Sequence, residues 1–287
     1  SAPPGRCSKD GRAPRPLSTR RPGTWRVREG ARRKATDDEM GEAPVHDEQT
    51  TQAGNPLGAS GTASEAGILE ERKLRSVRRV IARRLSQIWQ EAPHVTLHRE
   101  LDATGLGEAR ARTGHSAIDV ILWATTRALV RYPEFNATFD GEVHRLYAGV
   151  HLGYAVDTPR GLVVPVLRDA AARGIDGLAA ERKRMIATVM EGRFEMSDVE
   201  GGTFTVTNLG TMGVDFFTPI LNPPQVAILG LGRLKTAAVG WGPAEAPKVR
   251  ELLPVSLSFD HRVIDGARAA VFLQAIQEEL SSLLGAA

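Results

Sequence analysis

The spacing of apolar side chains divides the chain into two parts. Between residues 1 and 67 only six large apolar side chains occur, whereas glycine and proline together occupy 16 positions. A stretch of this composition cannot bury enough apolar surface to offset its chain entropy. We therefore expect a disordered tail over residues 1–67 and one folded domain over residues 68–287.

From residue 68 onward helix-like and strand-like patterns alternate. Apolar spacings of three and four, together with the capping-box pair Ser116 and Asp119, predict helices at 77–90, 117–131, 178–190 and 267–284. Period-two alternation predicts strands at 95–101, 203–209, 226–231 and 255–259. Two further strands, 149–156 and 162–167, flank a turn rich in proline and glycine and predict a hairpin. This mixture predicts an α/β fold, a two-layer sandwich with a mixed β-sheet.

The net charge of +3 conceals a strong segregation along the chain. Residues 1–34 carry 11 basic and 2 acidic side chains, whereas residues 35–71 carry 9 acidic and no basic ones. A basic block followed by an acidic block is more typical of a solvated, self-attracting tail than of a nucleic-acid surface. The apolar runs are too short for a membrane span, and a secretory signal is not evident. We expect a cytoplasmic protein, with the mitochondrial matrix as the alternative because the arginine-rich start resembles a transit peptide.

Several common site chemistries find no support in the sequence. Cys7 is the single cysteine, so neither a disulfide framework nor a thiolate zinc cage is available. His94 and His98 are four residues apart on a predicted strand, which places them about 13 Å apart, too far for one ion. Phosphate-loop, dinucleotide-binding and hydrolase-elbow motifs are also missing. We therefore expect no metal site.

The remaining candidate chemistry lies in the stretch DHRVIDGA at 260–267. It places His261 after a predicted strand and Asp265 at the start of the last helix. A neutral imidazole in such a loop can take a proton from a thiol, because its ordinary pKa is near 6.5. The alternative from the pattern alone is that Asp265 only caps the helix and His261 is an ordinary loop residue.

This stretch resembles the active-site signature of the dihydrolipoamide acyltransferases, the core subunits of 2-oxo acid dehydrogenase complexes. Four further stretches resemble that family in the same order: VRRVIARRL at 77–85 leading to Pro93 and His94, PEFNA at 133–137, GYAVDTPRGLVVP at 153–165, and GGTFTVTNLG at 201–210 with NPPQVAIL at 222–229. The resemblance as a whole covers essentially residues 70–285. The resemblance implies a fold like that of chloramphenicol acetyltransferase.

The resemblance also implies roles for individual residues. His261 matches the general base, Asp265 its partner carboxylate, and Thr207 a hydroxyl that donates to the tetrahedral oxyanion. Four other positions match coenzyme A contacts: Ser116, Asp157, Asn208 and Gly232. From the residues alone, Thr207 could be an ordinary strand threonine, Ser116 a helix cap, Asp157 a turn residue and Gly232 a strand end. One arginine within 78–84 is expected to pair with Asp265.

The implied activity is transfer of an acyl group, acetyl being weakly favoured, between dihydrolipoamide and coenzyme A. A lipoyl domain is not evident in the sequence, so either the chain is a fragment or it relies on a carrier made elsewhere. We expect dihydrolipoamide to be supplied in trans by a lipoyl-carrying protein. The family also implies a homotrimer or an assembly of trimers, with 2-oxo acid dehydrogenase components as possible partners. Two alternatives stay open: a coenzyme A-dependent acyltransferase acting on another small acceptor, and a non-catalytic scaffold subunit.

Overall fold

The described residues of the computed structural model, 69–74, 76–240 and 246–285, form five helices and eleven strands. The side chains of residues 76 and 77 are not described. The tail predicted over residues 1–67 lies outside the described residues. The predicted fold class, α/β with a mixed sheet, is confirmed: helices pack on a sheet that contains both parallel and antiparallel strand pairs.

The helices are α1 Ser76–Glu91, α2 Leu106–Thr113, α3 Ala117–Arg131, α4 Gly174–Glu191 and α5 Gly266–Gly285. Four of them match predicted helices. The α3 helix begins with the predicted capping box, in which the Ser116 side chain accepts from the backbone N–H of Asp119. The α2 helix was not predicted. It lies between Gly105 and Gly114, which both adopt left-handed backbone angles (φ 91° and 72°) that glycine tolerates best.

The strands are β1 His94–Asp102, β2 Ala137–Phe139, β3 His144–Leu146, β4 Leu152–Tyr154, β5 Val156–Thr158, β6 Gly161–Val163, β7 Val166–Leu167, β8 Phe204–Asn208, β9 Ala227–Leu231, β10 Lys235–Val239 and β11 Lys248–Asp260. The main sheet has the order β1-β11-β9-β8-β4-β7, with β10 also paired to β11. Strands β4, β8 and β9 run parallel, whereas β11 is antiparallel to β1, β9 and β10.

The hairpin predicted around residues 157–161 is present, but its two long strands are wrong. Each is divided in two: β4 and β7 pair within the main sheet, whereas β5 and β6 form a separate two-stranded sheet. The division falls at Ala155 and at Val164 and Pro165. A proline lacks the backbone N–H that a continuous ladder requires, which accounts for the interruption on the second strand.

The core lies between the sheet and helices α3 and α5, which pack against each other. Its centre is aromatic: Phe272 of α5 stacks on Phe135 with ring centroids 4.2 Å apart and meets Phe204 of β8 edge to face at 6.0 Å. All three rings are fully buried. The aromatic contacts therefore connect the last helix directly to the strand that carries the candidate site.

Replacing Phe272 with alanine should lower the free energy of unfolding by about 3–5 kcal/mol, the usual range for removing a buried aromatic ring. Val271→Ala is the matched control, because its neighbouring side chain is 42% exposed. It should change the free energy by no more than about 0.5 kcal/mol. Chemical denaturation followed by circular dichroism measures both, and equal losses in the two variants would contradict this description of the core.

Candidate active site

Strand β8 presents adjacent side chains to opposite faces of the sheet. Phe204 and Val206 belong to the core on the helix side, so Asn208 faces the same side by the period-two alternation of a strand. Thr205 and Thr207 therefore face the other side. Each face carries a cleft at this end of β8, one beside Asn208 and one beside Thr207.

The helix-side cleft has a volume of about 500 Å³. Three of the four residues that match coenzyme A contacts line it together, namely Ser116, Asn208 and Gly232. The Asn208 side-chain oxygen accepts from the backbone N–H of Gly210 at 2.9 Å, and the Asn208 side chain also hydrogen-bonds the Tyr154 hydroxyl. Arg110 and Arg233 also line the cleft. Arg110 gives it a basic character, and the Arg233 Nε donates to Asp215 Oδ1 at 3.1 Å.

Gly232 meets its neighbours too closely for any side chain. A Cβ added there would lie 1.9 Å from the backbone oxygen of Asp215, and one added at Gly210 would lie 2.3 Å from the oxygen of Gly232. Backbone hydrogen bonds hold this approach, including Gly232 N–H to the Pro254 oxygen at 2.8 Å. Gly232 is thus more than a strand end, because its lack of a side chain shapes one wall of the cleft.

A buried ion pair stabilises the opposite wall of the helix-side cleft. The Arg182 Nε of α4 donates to Asp119 Oδ1 of α3 at 2.6 Å, and Asp119 is only 1% exposed. Ser116 Oγ lies 2.5 Å from Asp119 Oδ2 and 3.3 Å from Arg182 Nη2. Burial alone would raise the pKa of Asp119, but the hydrogen bonds from Arg182 and Ser116 outweigh it and lower that pKa. Asp119 is therefore a buried carboxylate that keeps its charge.

The second cleft, of about 270 Å³, is mostly apolar. Thr207 lines it together with residues that include Leu162, Phe217 and Ile228. The Phe217 ring covers Gly230, where an added Cβ would lie 2.7 Å from the ring. Among the described residues the Thr207 hydroxyl has no hydrogen-bond partner, so it can donate to a group that enters the cleft.

His261 lies on an exposed turn between β11 and α5, outside both clefts. An ion pair fixes the turn: Arg262 Nη2 donates to Asp260 Oδ2 at 2.6 Å, and Asp260 is 3% exposed. The backbone N–H of His261 donates to the Pro93 oxygen at 3.0 Å. These contacts hold the backbone and leave the imidazole accessible.

Asp265 is also exposed, and its backbone oxygen accepts the helical N–H of Ala269 at 3.0 Å. Its backbone therefore caps α5. Within the described part of the chain its carboxylate forms no ion pair, neither with His261 nor with an arginine of the 78–84 stretch. Arg84 instead approaches the backbone oxygen of Pro223 at 3.4 Å. The predicted Asp265 contacts are thus not formed within the described residues.

Asp157 is exposed on β5 and pairs in register with Leu162 of β6. Leu162 lines the apolar cleft, but Asp157 does not line the helix-side cleft with the other three predicted contacts. The structure therefore brings together Ser116, Asn208 and Gly232 and leaves Asp157 apart from them.

Strand register separates Thr207 from the histidine. Thr207 is aligned with Gly230 of β9 and, through it, with Ser256 of β11. Asp260, the last residue of β11, is four positions after Ser256, which is about 13 Å along the strand. Strand β11 is also two strands away from β8, which is about 10 Å across the sheet. A general base acts at about 2.6–3.2 Å, so His261 and Thr207 of one chain cannot meet at one reacting atom.

Two features of the site were missed in the sequence. Tyr154 lines the helix-side cleft, and burial raises the pKa of its hydroxyl. Its place in the GYAV stretch was a signal that could have identified it. Arg182 lies within an ordinary amphipathic helix, 63 residues from Asp119. A single sequence contains no signal for that pairing.

The chain belongs to the family described as 2-oxoacid dehydrogenases acyltransferase (catalytic domain), whose profile matches residues 67–285. It is 38% identical over 215 residues to the dihydrolipoyllysine-residue acetyltransferase component of the pyruvate dehydrogenase complex from Cupriavidus necator, with 72% of this chain and 38% of that protein covered. The counterpart from Haemophilus influenzae is 36% identical, with 77% and 41% covered. The chain thus spans about two fifths of these curated relatives, and the family predicted from its motifs is confirmed.

Solved structures agree with this assignment. The dihydrolipoamide acetyltransferase of Azotobacter vinelandii matches with a TM-score of 0.71 and 34% identity, covering 77% of this chain and 96% of that one. The truncated catalytic core of the 2-oxoacid dehydrogenase multienzyme complex from Thermoplasma acidophilum matches with a TM-score of 0.67 and 32% identity, covering 75% and 99%. Among the described residues, no helix is long and apolar enough to cross a membrane, and no group of metal-ligating side chains occurs.

Replacing Asp119 with asparagine should lower the free energy of unfolding at pH 7 by about 3–5 kcal/mol, because Arg182 would be left as a buried charge without its partner. The pKa of Asp119 is lowered in the folded chain, so its stabilisation is present above the unfolded value of about 3.9 and is lost as the pH falls through the folded value. The difference between the wild type and the variant should therefore shrink below about pH 4.

Denaturation at a series of pH values between 3 and 7 measures this dependence. The control is Glu108→Gln, which removes an exposed carboxylate of α2 and should have little effect at any of these pH values. A stability difference for Asp119→Asn that stays constant down to pH 3 would contradict the assignment of a charged Asp119.

Proposed function

We propose that the domain transfers an acyl group between dihydrolipoamide and coenzyme A. The observation that carries this proposal is the pair of clefts at the end of β8, one basic and beside Asn208, the other apolar and beside the Thr207 hydroxyl. Consecutive residues of one strand thus serve two ligand clefts of contrasting polarity. This arrangement suits a transferase that brings two different substrates together at the end of one strand.

Coenzyme A is assigned to the helix-side cleft. Its phosphates are anionic, and Arg110 supplies positive charge there, whereas Arg233 is already paired with Asp215. The side-chain amide of Asn208, which also hydrogen-bonds the Tyr154 hydroxyl, lies beside them. The apolar cleft beside Thr207 is assigned to the acyl group and the dithiol of dihydrolipoamide, because its walls are Leu162, Phe217 and Ile228. Dihydrolipoamide supplied in trans stays a prediction.

The chemistry follows from the types of side chain. The imidazole of His261 takes the proton from the acceptor thiol, and the resulting thiolate attacks the thioester carbonyl of the donor. The Thr207 hydroxyl donates to the tetrahedral oxyanion. One donor of this kind can stabilise the transition state by about 3 kcal/mol. Collapse of the intermediate expels the other thiolate, which recovers the proton from His261. No covalent acyl-enzyme is required.

The Azotobacter vinelandii structure supports these roles. It concerns a serine, a histidine and an asparagine in the catalytic mechanism, with the asparagine four residues after the histidine. Here Asp265 follows His261 at the same spacing, and Thr207 offers a hydroxyl as a serine does. Asp265 stands at the position of that asparagine, and its carboxylate forms no ion pair with His261 among the described residues.

We also propose that the site is completed between copies of the chain, in a trimer or an assembly of trimers. The register of the sheet keeps His261 about 13 Å further along and two strands away from Thr207 within one chain. A matching solved structure is the cubic core of the pyruvate dehydrogenase multienzyme complex, with a TM-score of 0.71 and 33% identity. Lipoyl-carrying and dehydrogenase partners, an acetyl donor and a cytoplasmic location are further predictions from the sequence.

Replacing His261 with alanine should lower the turnover number by roughly 10² to 10⁴, the usual range for loss of a general base. Coenzyme A binding should change little, since His261 lies outside the helix-side cleft. The assay follows acyl transfer from a panel of acyl-coenzyme A donors to free dihydrolipoamide, with hydroxyl acceptors compared in parallel.

His151→Ala provides a matched control, because this histidine hydrogen-bonds the backbone N–H of Asp169 at 3.1 Å and lines neither cleft. It should keep most of the wild-type turnover. A His261→Ala enzyme that retains more than about a tenth of the turnover would exclude His261 as the base, and preferential transfer to hydroxyl acceptors would exclude dihydrolipoamide as the substrate.

A further inference from the structure

The first turn of α3 forms one wall of the helix-side cleft. Ser116, Ala117 and Ile118 all line it. Asp119 is the next residue, and its side chain turns away from the cleft into the protein, where it meets Arg182 of α4. The wall of the cleft and the buried ion pair are therefore parts of the same helical turn.

The hydroxyl of Ser116 has no hydrogen-bonding capacity left for a ligand. A serine hydroxyl has one donor and two acceptor positions. Here it donates to Asp119 Oδ2 at 2.5 Å and accepts from Asp119 N–H at 3.4 Å and from Arg182 Nη2 at 3.3 Å. Ser116 thus lines the cleft, but its polar atom is fully engaged inside the protein.

We propose that the Asp119–Arg182 pair is a positioning element for coenzyme A, which fixes the first turn of α3 as the wall of its cleft. The inference rests on the proposed function and adds two residues to it. Neither residue touches the ligand: Arg182 is 9% exposed and lies behind Ser116. Ser116 transmits the effect, because it is hydrogen-bonded to both members of the pair.

The planar guanidinium is well suited to this role. Arg182 uses Nε for Asp119 and Nη2 for Ser116, two donors that point in fixed and different directions. A lysine at this position could satisfy the carboxylate but could not hold the serine as well. The lowered pKa of Asp119 agrees with a permanently charged pair.

The test compares Arg182→Met with Arg127→Met in the full-length assembled protein. Arg127 lies on α3, the helix that carries Asp119, and pairs with Glu279 of α5 at 2.7 Å, away from the cleft. Titration calorimetry with coenzyme A alone gives Kd, and steady-state kinetics give KM for coenzyme A and for dihydrolipoamide separately. Thermal denaturation gives the stability of each variant.

For Arg182→Met we expect Kd and KM for coenzyme A to rise at least about tenfold, while KM for dihydrolipoamide and kcat stay within about threefold. Arg182→Lys should recover part of the loss. Arg127→Met should lower the melting temperature without changing coenzyme A binding. If Arg182→Met does not fold, the same comparison is made with Arg182→Lys, whose Kd should lie measurably above that of the wild type.

Coenzyme A affinity equal to the wild type in the folded Arg182 variants would overturn the inference and reduce the pair to a stabilising contact. The proposed function would survive that result, because wild-type binding and turnover would be intact. Failure of the wild type itself to bind coenzyme A would overturn the proposed function and the inference together.

Discussion

The register of strands β8, β9 and β11 is the constraint on which the site depends. Parallel pairing aligns Thr207 with Gly230, and antiparallel pairing aligns Gly230 with Ser256. Strand β11 then continues to Asp260 before the turn that carries His261. A shift of one residue at either pairing would turn Thr207 towards the core and move the histidine, so the buried face of the sheet fixes both positions.

The same sheet separates two ligand environments. Because side chains alternate along β8, a single strand contributes Asn208 to a basic cleft and Thr207 to an apolar one. Close backbone packing at Gly210 and Gly232 brings the loops that follow β8 and β9 together at this edge. The buried Asp119–Arg182 pair then fixes the helix that closes the basic cleft from the other side. Each wall is rigid for a different physical reason.

Local patterns predicted much of the fold because they reflect local physics. The capping box at Ser116 placed the start of α3, and alternation placed β8 and β9 within one or two residues. The first half of β11 was missed because Pro254 interrupts a pattern that otherwise indicates a strand, although its position in the sheet tolerates a residue without an N–H. Strand β10 was missed because its alternating side chains are only partly buried.

The residues of the candidate site were likewise only partly predictable from the sequence. His261, Thr207, Asn208 and Gly232 were identified from motifs that resemble a family, and that family is confirmed. The grouping of Ser116 with Asn208 in one cleft, and the role of Arg182, depend on contacts between elements far apart in sequence. Composition and periodicity contain no information on such contacts. The separation of Asp157 from the cleft likewise follows from the division of its hairpin between two sheets.

The central claim is that His261 of one copy acts with Thr207 of another, since register keeps them apart within a chain. Subunit mixing tests it most directly: inactive His261→Ala and Thr207→Ala chains are dissociated, mixed in equal amounts and reassembled, with exchange verified by mass spectrometry. Random mixing leaves about a quarter of the interfaces with both groups intact, so up to about a quarter of wild-type activity should return. An inactive mixture in which exchange is complete would contradict the account.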